Sequence, residues 1–369
     1  MEYQELKECA KYSNLRTNTF TKDTYISTEN MLPNKGGVTS IDSIPTCKTT
    51  AKYEPSDILI SNIRPYFCKI WYATREGGCS NDVLVIKAKK SIDPKFLYYV
   101  LSDKNFFNYD TITSKGTKMP RGNKNAIMKY LVPKTTPLIQ QKISSILSSY
   151  DRLIENNTRR IRLLEQMAEN LYKEWFVRFR FLGHENVEMV NGLPKGWKVE
   201  KLGDYANIST GKCNREDAEE DGIYPLFDRS QEIKKSSKWI KDCEAIIVPG
   251  EGTSFIPRYY KGKFNLHQRC YCIEPRIKDI GFYLFYSIML NRKYFLSVAT
   301  GATVPSLRQN NFTKMKLIIA ELELVKKYNK IASTIALQID KLKDQNTLLT
   351  RQRDLLLPRL MSGKLEVKS

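Results

Sequence analysis

The chain has 369 residues, 41% of them hydrophobic and 11% aromatic, which is enough to build packed cores and excludes disorder throughout. Its 60 Lys and Arg against 40 Asp and Glu leave a formal net charge of +20, pointing to a polyanionic partner, with nucleic acid the first candidate. The polar, acidic opening from Met1 to Glu5 is unlike a signal peptide, and the longest apolar stretch, 282–290, is far short of the roughly 20 residues of a membrane-spanning helix; the expectation is a cytoplasmic protein with no membrane association and its eight cysteines reduced.

In chain order, the first block reads as mixed α/β. The runs 58–60 (ILI) and 83–86 (VLVI) have strand length and turn residues beside them, and "FLYYVLSDKNFF" (96–107) reads as helix, its aromatics as core. Next comes a polar, basic loop, "SKGTKMPRGNKN" (114–125), carrying Lys115, Thr117, Lys118, Arg121, Asn123 and Lys124. Pro137 then marks the start of a long helix whose seam runs Ile143, Leu147, Tyr150, Ile154, Asn157, Ile161, Leu164, Ala168, Leu171, Trp175, with spacings alternating 4 and 3. A polar segment, "GHENVEMVNGLPKGW" (183–197), punctuated by Gly192, Pro194 and Gly196, marks a boundary.

The second block repeats the plan. The run 245–248 (AIIV) reads as strand and "FYLFYSIMLNRKYF" (282–295) as helix. The loop "TGATVPSLRQNN" (300–311) follows, carrying Thr303, Ser306, Arg308, Gln309 and Asn310. A second seam runs Tyr328, Ala332, Ile335, Ile339, Leu342, Asn346, Leu349, Arg353, Leu356, Leu360, with Pro358 as its end signal. The expected organisation is 1–137 as a first α/β domain, 138–182 as a first helix, 183–322 as a second α/β domain, and 323–369 as a second helix and tail.

The two halves are one unit duplicated. Shifting the sequence by 185 residues superimposes 98–171 on 283–356 without a gap, and 14 of the 74 positions are identical, among them Gly116/Gly301, Pro120/Pro305, Asn125/Asn310, Ile154/Ile339 and Leu164/Leu349. Upstream the match is looser and needs insertions: "SDILIS" from Ser56 resembles "CEAIIV" from Cys243, and Leu6 and Ala10 resemble Leu202 and Ala206. Each seam, about 48 Å long at 1.5 Å per residue, exceeds what packing on one small domain requires and predicts a helix pair. Run antiparallel with residue numbers summing to 503, Leu147 faces Leu356, Ile154 faces Leu349, Leu164 faces Ile339, and Asn157 faces Asn346; the amide pair would select this register over a heptad slip. The fold class is α+β: two α/β domains separated by a pair of long antiparallel coiled-coil helices with pseudo-twofold internal symmetry.

No catalytic motif survives inspection. Gly250-Glu251-Gly252 starts like a dinucleotide fingerprint, but Phe255 stands where the third glycine belongs, and Gly211-Lys212 lacks the upstream glycine of a phosphate loop. His184 and His267 are the only histidines; His267, Cys270 and Cys272 with Cys243 are conceivable zinc ligands, but Cys270 and Cys272 sit two apart, the ordinary pattern of one strand face, and no CxxC knuckle accompanies them. No Asn/Asp-Pro-Pro-aromatic motif of an amino-methyltransferase is present. The chain reads as a binder with no catalytic residue, metal or cofactor of its own. The two loops are the candidate DNA contacts, since Arg, Asn and Gln forks match purine edges and Lys serves phosphates. Further candidates are Arg64, Lys69 and Arg75 in the first block, and Arg229, Lys234, Lys235, Arg258, Lys263, Gln268 and Arg269 in the second.

The order of these parts resembles the specificity subunit of type I restriction-modification systems. The resemblance lies in "LPKGWKVEKLGDYANISTGK" (193–212), "GATVPSLRQNNFTKMKL" (301–317), "IDKLKDQNTLLTRQRDLLLPRLMSGKLEV" (339–367) and, in the first half, "LIQQKISSILSSYDRLIENNTRRIRLLEQM" (138–167). It covers nearly the whole chain, is specific in the helices and weak inside the variable blocks; the first half lacks the Leu-Pro-x-Gly-Trp opening. It implies two target recognition domains, each reading one half of a bipartite, asymmetric sequence in double-stranded DNA. It also implies helices that act as a ruler and dock two DNA adenine methyltransferase subunits, with separate motor-nuclease subunits; S-adenosylmethionine, ATP and Mg would belong to those partners. A spacer of about 48 Å is comparable to the roughly 34 Å of a DNA turn, and one heptad more would shift the half-sites by about 10 Å, or about 3 base pairs. The alternatives are a recognition half with its own nuclease activity, or a coiled-coil DNA scaffold without sequence preference.

Overall fold

The computed structural model describes residues 2–44, 46 and 48–365. The chain divides into two compact units: one holds Met1–Thr158 together with the C-terminal stretch from Asp344, the other is Arg159–Lys343. Both cuts fall inside long helices, at 158/159 and 343/344, and lie 185 residues apart, the offset of the internal repeat. Each unit therefore contains one variable block and one antiparallel pair of helix segments.

The first unit is built on a four-stranded sheet ordered Ala10–Tyr12, Val83–Ala88, Ile58–Ser61, Ile70–Tyr72. Ile58, Leu59 and Ile60 are all buried because this strand is covered on both faces, which is why it reads as an unbroken apolar run. A second four-stranded sheet, Arg16–Thr17, Thr50–Tyr53, Gly77–Cys79, Tyr25–Ile26, closes parallel, Ile26 opposite Cys79. In the second unit a six-stranded sheet runs Ala206–Thr210, Cys270–Pro275, Lys241–Pro249, Arg258–Leu266, Tyr224–Phe227, Lys234–Ser236, and Phe227 pairs parallel with Leu266.

The predicted helices are present but interrupted. The first block has Pro94–Ser102 and Lys104–Thr113: Asp93 caps the former by accepting from the Phe96 amide at 2.7 Å, and Asp103 ends it and caps the latter through the Asn105 amide. The second block has Gly281–Leu290 and Arg292–Val298, parted at Asn291. Phe96, Tyr99, Phe106, Phe107, Phe282, Tyr283 and Phe295 are all core. The loose upstream match also has a structural counterpart. Leu6 and Leu202 each open a one-turn helix and donate to the carbonyls of Tyr130 and Met315, themselves 185 apart.

The long helices are Pro137–Tyr172, which widens into a π-turn at Lys173–Val177, and Leu322–Met361. Every seam position of both is buried or half-buried, while neighbours such as Leu153, Leu163, Leu337 and Leu355 are exposed. In the second unit the Trp175 and Tyr328 rings lie 6.3 Å apart, and Ala168 clusters with Ile335 and Ile339; 175 with 328 and 168 with 335 are both pairs of the 503 register. In the first unit Ile143 and Leu147 share a core with Leu356, Leu357 and Leu360. The amides depart from the expected pairing: Asn157 donates to Gln345 Oε1 at 3.4 Å and Asn346 to Thr158 Oγ1 at 3.3 Å. Each bonds to the other's neighbour, Thr158 half-buried and Gln345 exposed, because the edge of the seam supplies polar partners one residue away. Pro358 does not end the second helix, which continues to Met361, because so near its end a missing donor leaves a single carbonyl to be satisfied otherwise.

Leu164→Asp is expected to destabilise the chain by on the order of 3 kcal/mol, because it sets a carboxylate against Ala168, Ile335 and Ile339. A thermal melt checks this, and an unchanged midpoint would show that the seam is not a packed surface.

Candidate nucleic-acid interface

Both units hold their polar loop on the same backbone frame. In the first, Lys115 and Arg121 exchange backbone hydrogen bonds, both 2.9 Å, closing the loop. The Arg64 amide donates to Pro120 O (2.8 Å), the Gly122 amide to Asn62 O (3.0 Å), and the Asn62 amide to Asp82 O (2.8 Å). In the second, Thr300 and Ser306 make the same exchange at 2.9 and 2.8 Å. There Gly252 donates to Pro305 O (3.0 Å), Leu307 to Gly250 O (2.8 Å) and Gly250 to Arg269 O (2.8 Å). Asn62, Arg64 and Asp82 thus occupy the places of Gly250, Gly252 and Arg269. Each loop turns through a glycine of positive φ, Gly116 at 93° and Gly301 at 116°, so these identities shape the turn.

In the first unit Lys115, Thr117, Lys118, Arg121 and Lys124 are exposed, and Arg121 Nη2 lies 3.2 Å from Asp82 Oδ1. Asn123 turns inward and caps the helix Lys124–Ile127 by accepting from the Asn125 and Ala126 amides. Lys69 donates to Thr28 O at 2.6 Å, and Arg75 donates to Asp23 O at 2.7 Å and lies over Trp71, so both hold neighbouring segments; Arg64 is half-buried.

In the second unit Thr303, Arg308, Gln309 and Asn310 are exposed and Ser306 is half-buried; Gln309 donates to Ile208 O at 2.9 Å, tying the loop to a strand. Arg229 and Arg269 converge on Glu251: Arg229 Nη1 donates to Oε2 at 2.6 Å and Arg269 Nη1 to Oε1 at 2.8 Å. Gln268 donates to Asn214 Oδ1 at 2.7 Å. His267 fixes this turn, its Nδ1 accepting the Arg269 amide at 3.0 Å. Burial, and then the charge of Arg229, push the His267 pKa below its ordinary value, favouring the neutral ring this bond requires.

Lys234 and Arg258 face inward. Arg258 donates to Ser230 O (2.9 Å) and Asp228 O (2.6 Å) over the Phe227 ring, and Lys234 binds Asp228 at 2.5 Å. Burial works against the Asp228 charge, but hydrogen bonds from Lys234 and Ser230 outweigh it and hold the carboxyl down at about 2. Together these two cations shape the loop beside Arg229. Lys235 is exposed, and Lys263 lies over Trp239 at 4.9 Å. Among the described residues no group of three or more His, Cys, Asp and Glu could hold a metal, and no helix is long and apolar enough to cross a membrane.

Two features escaped sequence reasoning. Glu251 and Asp82, acidic residues in a basic surface, are central to the loops; the only trace was Gly250-Glu251-Gly252, which fits no phosphate motif. On the long helices, Ile146 and Ile331 are each 37% exposed, and Leu163 and Leu348 are 56% and 58% exposed. These two pairs are identical at the repeat offset yet off the seam, a signal the sequence carried.

The family model of the type I restriction modification DNA specificity domain matches residues 3–166 and 194–352. The MjaIX type I restriction enzyme specificity subunit of Methanocaldococcus jannaschii is 26% identical over 76% of this chain and 71% of its own length. The HindI specificity subunit of Haemophilus influenzae is 23% identical over 94% of this chain and 95% of its own length. Among solved structures, the type I restriction-modification S subunit from M. genitalium shares the fold with a TM-score of 0.63, at 17% identity, over 100% of this chain and 96% of that one. With the same domain in each half and the same frame under each loop, the chain belongs to the type I restriction-modification DNA specificity family.

Proposed function

We propose that this chain is the non-catalytic DNA-reading subunit of a type I restriction-modification complex, each unit reading one half of a bipartite, asymmetric site. The observation that carries this is the duplicated frame. Its backbone is the same in both units, while the side chains mounted on it differ, as two readers of two different sequences require. The formal net charge of +20 supplies the sequence-independent attraction to phosphates. The DNA contacts are the exposed members of the two loops and the Arg229, Gln268, Arg269 turn.

The long helices dock two DNA adenine methyltransferase subunits, one per repeat. Ile146 and Leu163 on one helix, Ile331 and Leu348 on the other, support this: repeated, outward-facing apolar residues suit two copies of the same partner. Motor-nuclease subunits complete the assembly. S-adenosylmethionine, ATP and Mg belong to these partners, and the complex works in the cytoplasm on double-stranded DNA.

The test is selection from a random duplex library by the chain in complex with its methyltransferase subunits. A two-part motif with a fixed gap is expected; uniform recovery would sink the reading. The purified chain with magnesium is expected to leave DNA uncut. Arg308, exposed at the start of the helix Gln309–Thr313, is expected to contact a base edge. Arg308→Ala should then cost roughly 1–3 kcal/mol at one position of one half-site only. Equal weakening on all sequences would make it a phosphate contact instead.

A further inference from the structure

The two frames carry an ion pair at the same spot but build it from different strands. In the second unit the carboxylate stands at 251, beside Ser306, and the guanidiniums come from 229 and 269. In the first unit Ile63 takes the place of Glu251, the carboxylate moves to Asp82 at the place of Arg269, and the guanidinium comes from Arg121 at the place of Ser306. A surface pair of this kind adds little stability, so its recurrence on exchanged backbone positions needs another reason.

Glu251 is only 16% exposed by its side chain, whereas Arg229 and Arg269 are 50% and 58% exposed. Its two oxygens are divided, one to each arginine, and each arginine donates through one Nη1. A guanidinium tethered at Nη1 is restrained yet keeps its Nη2 and Nε donors free, and two such donors can match guanine O6 and N7. A flexible, untethered arginine would settle on whichever phosphate lies nearest.

We propose that this carboxylate-held arginine node is the specificity-determining element of each domain, reading guanine, with Glu251 and Asp82 as positioning residues that orient the arginines. The inference rests on the DNA-reading function proposed above. It makes the acidic residues, not only the basic ones, determinants of sequence choice. It also assigns one half-site to Glu251, Arg229 and Arg269, and the other to Asp82 and Arg121.

The experiment is library selection with the intact chain in its methyltransferase complex, comparing wild type, Glu251→Ala, Glu251→Gln, Arg269→Lys and Asp82→Ala, with a thermal melt for each. Glu251→Ala is expected to lower discrimination at a G·C position of one half-site about tenfold or more. Its affinity for unrelated DNA should hold or rise, since a negative charge has gone. Arg269→Lys, which keeps the charge and loses the fork, should relax the same position with the salt dependence unchanged. Asp82→Ala should relax the other half-site only. A merely structural Glu251 would weaken specific and unrelated DNA together; that result, or an unaltered motif from a folded Glu251→Gln, overturns the proposal while the wild-type motif leaves the DNA-reading function standing. A wild type that selects no motif overturns both.

Discussion

Arg353→Ala is expected to cost about 3 kcal/mol of stability, the low end for breaking a buried ion pair. Arg353 occupies a seam position where the heptad calls for an apolar residue, and its side chain is 15% exposed. It donates from Nη1 to Asp151 Oδ1 at 2.7 Å, and from Nε and Nη2 to Asp354 Oδ1 at 3.0 and 2.9 Å. Lys35 reaches the same Asp354 oxygen at 3.1 Å, and the Tyr99 hydroxyl donates to Asp151 Oδ2 at 2.5 Å. The network thus joins both long helices to two segments of the first variable block. Burial works against the Arg353 charge, but the hydrogen bonds and charges of the two aspartates outweigh it and raise its pKa above the ordinary value. Truncation leaves Asp354 with Lys35 as its one cation and Asp151 with only the Tyr99 hydroxyl, at the edge of a low-dielectric seam. Urea unfolding of the intact chain measures the loss. A change below about 1 kcal/mol would mean that water already screens the pair. Replacing Arg353 and Asp151 together by Leu and Asn should recover most of it, since the cost lies in the unpaired charge rather than in the lost bond.

That network also marks where sequence reading stopped. The seam was legible because apolar spacing of 3 and 4 is a property of the backbone period, independent of what the helix meets. Spacing does not explain an arginine at seam position 353, because its partner Asp151 lies one helix away and Asp354 is shared with Lys35 of the 33–37 loop. The apolar strands around Ile58 and Val83 were legible for the same local reason. The strands Arg16–Thr17, Tyr25–Ile26 and Gly77–Cys79 were not, being two or three residues long and held by partners tens of residues away. At the interface, the Gly116/Gly301 and Pro120/Pro305 identities located both loops. What gathers at the foot of each loop is set by three segments meeting, so Glu251 and Asp82 had no linear signature. Asn123, Lys234 and Arg258 have the chemistry of DNA contacts, but their geometry directs it into the fold.

Asp110 is expected to make the chain less stable as pH rises from about 4 to about 7, and Asp110→Asn to remove that dependence. The residue lies on the helix Lys104–Thr113 that leads into the 114–125 loop, fully buried, and neither carboxylate oxygen has a hydrogen-bond partner among the described residues. Asn62 Oδ1, likewise unpartnered, faces the same spot: a Cβ on Gly122 would come within 2.6 Å of Asp110 Oδ1 and 2.9 Å of Asn62 Oδ1. Burial pushes the Asp110 carboxyl up from 3.8 to about 7. The sign follows from linkage. Between those values the unfolded chain has released the proton and the folded chain still holds it, so stability falls by about 1.4 kcal/mol per pH unit, on the order of 4 kcal/mol in all. Asp110→Asn, neutral at every pH, should match the parent near pH 4 and exceed it by several kcal/mol near pH 8. Parallel profiles for parent and variant would rule out the buried proton. The second unit supplies the internal control: the repeat places Phe295 opposite Asp110, Leu307 opposite Gly122 and Gly250 opposite Asn62, and Phe295 packs against Phe255 and Phe312. The same frame is therefore backed by hydrocarbon in one unit and by an orphaned acid in the other, so the contribution of this buried proton belongs to the 114–125 loop and has no counterpart behind the 300–311 loop.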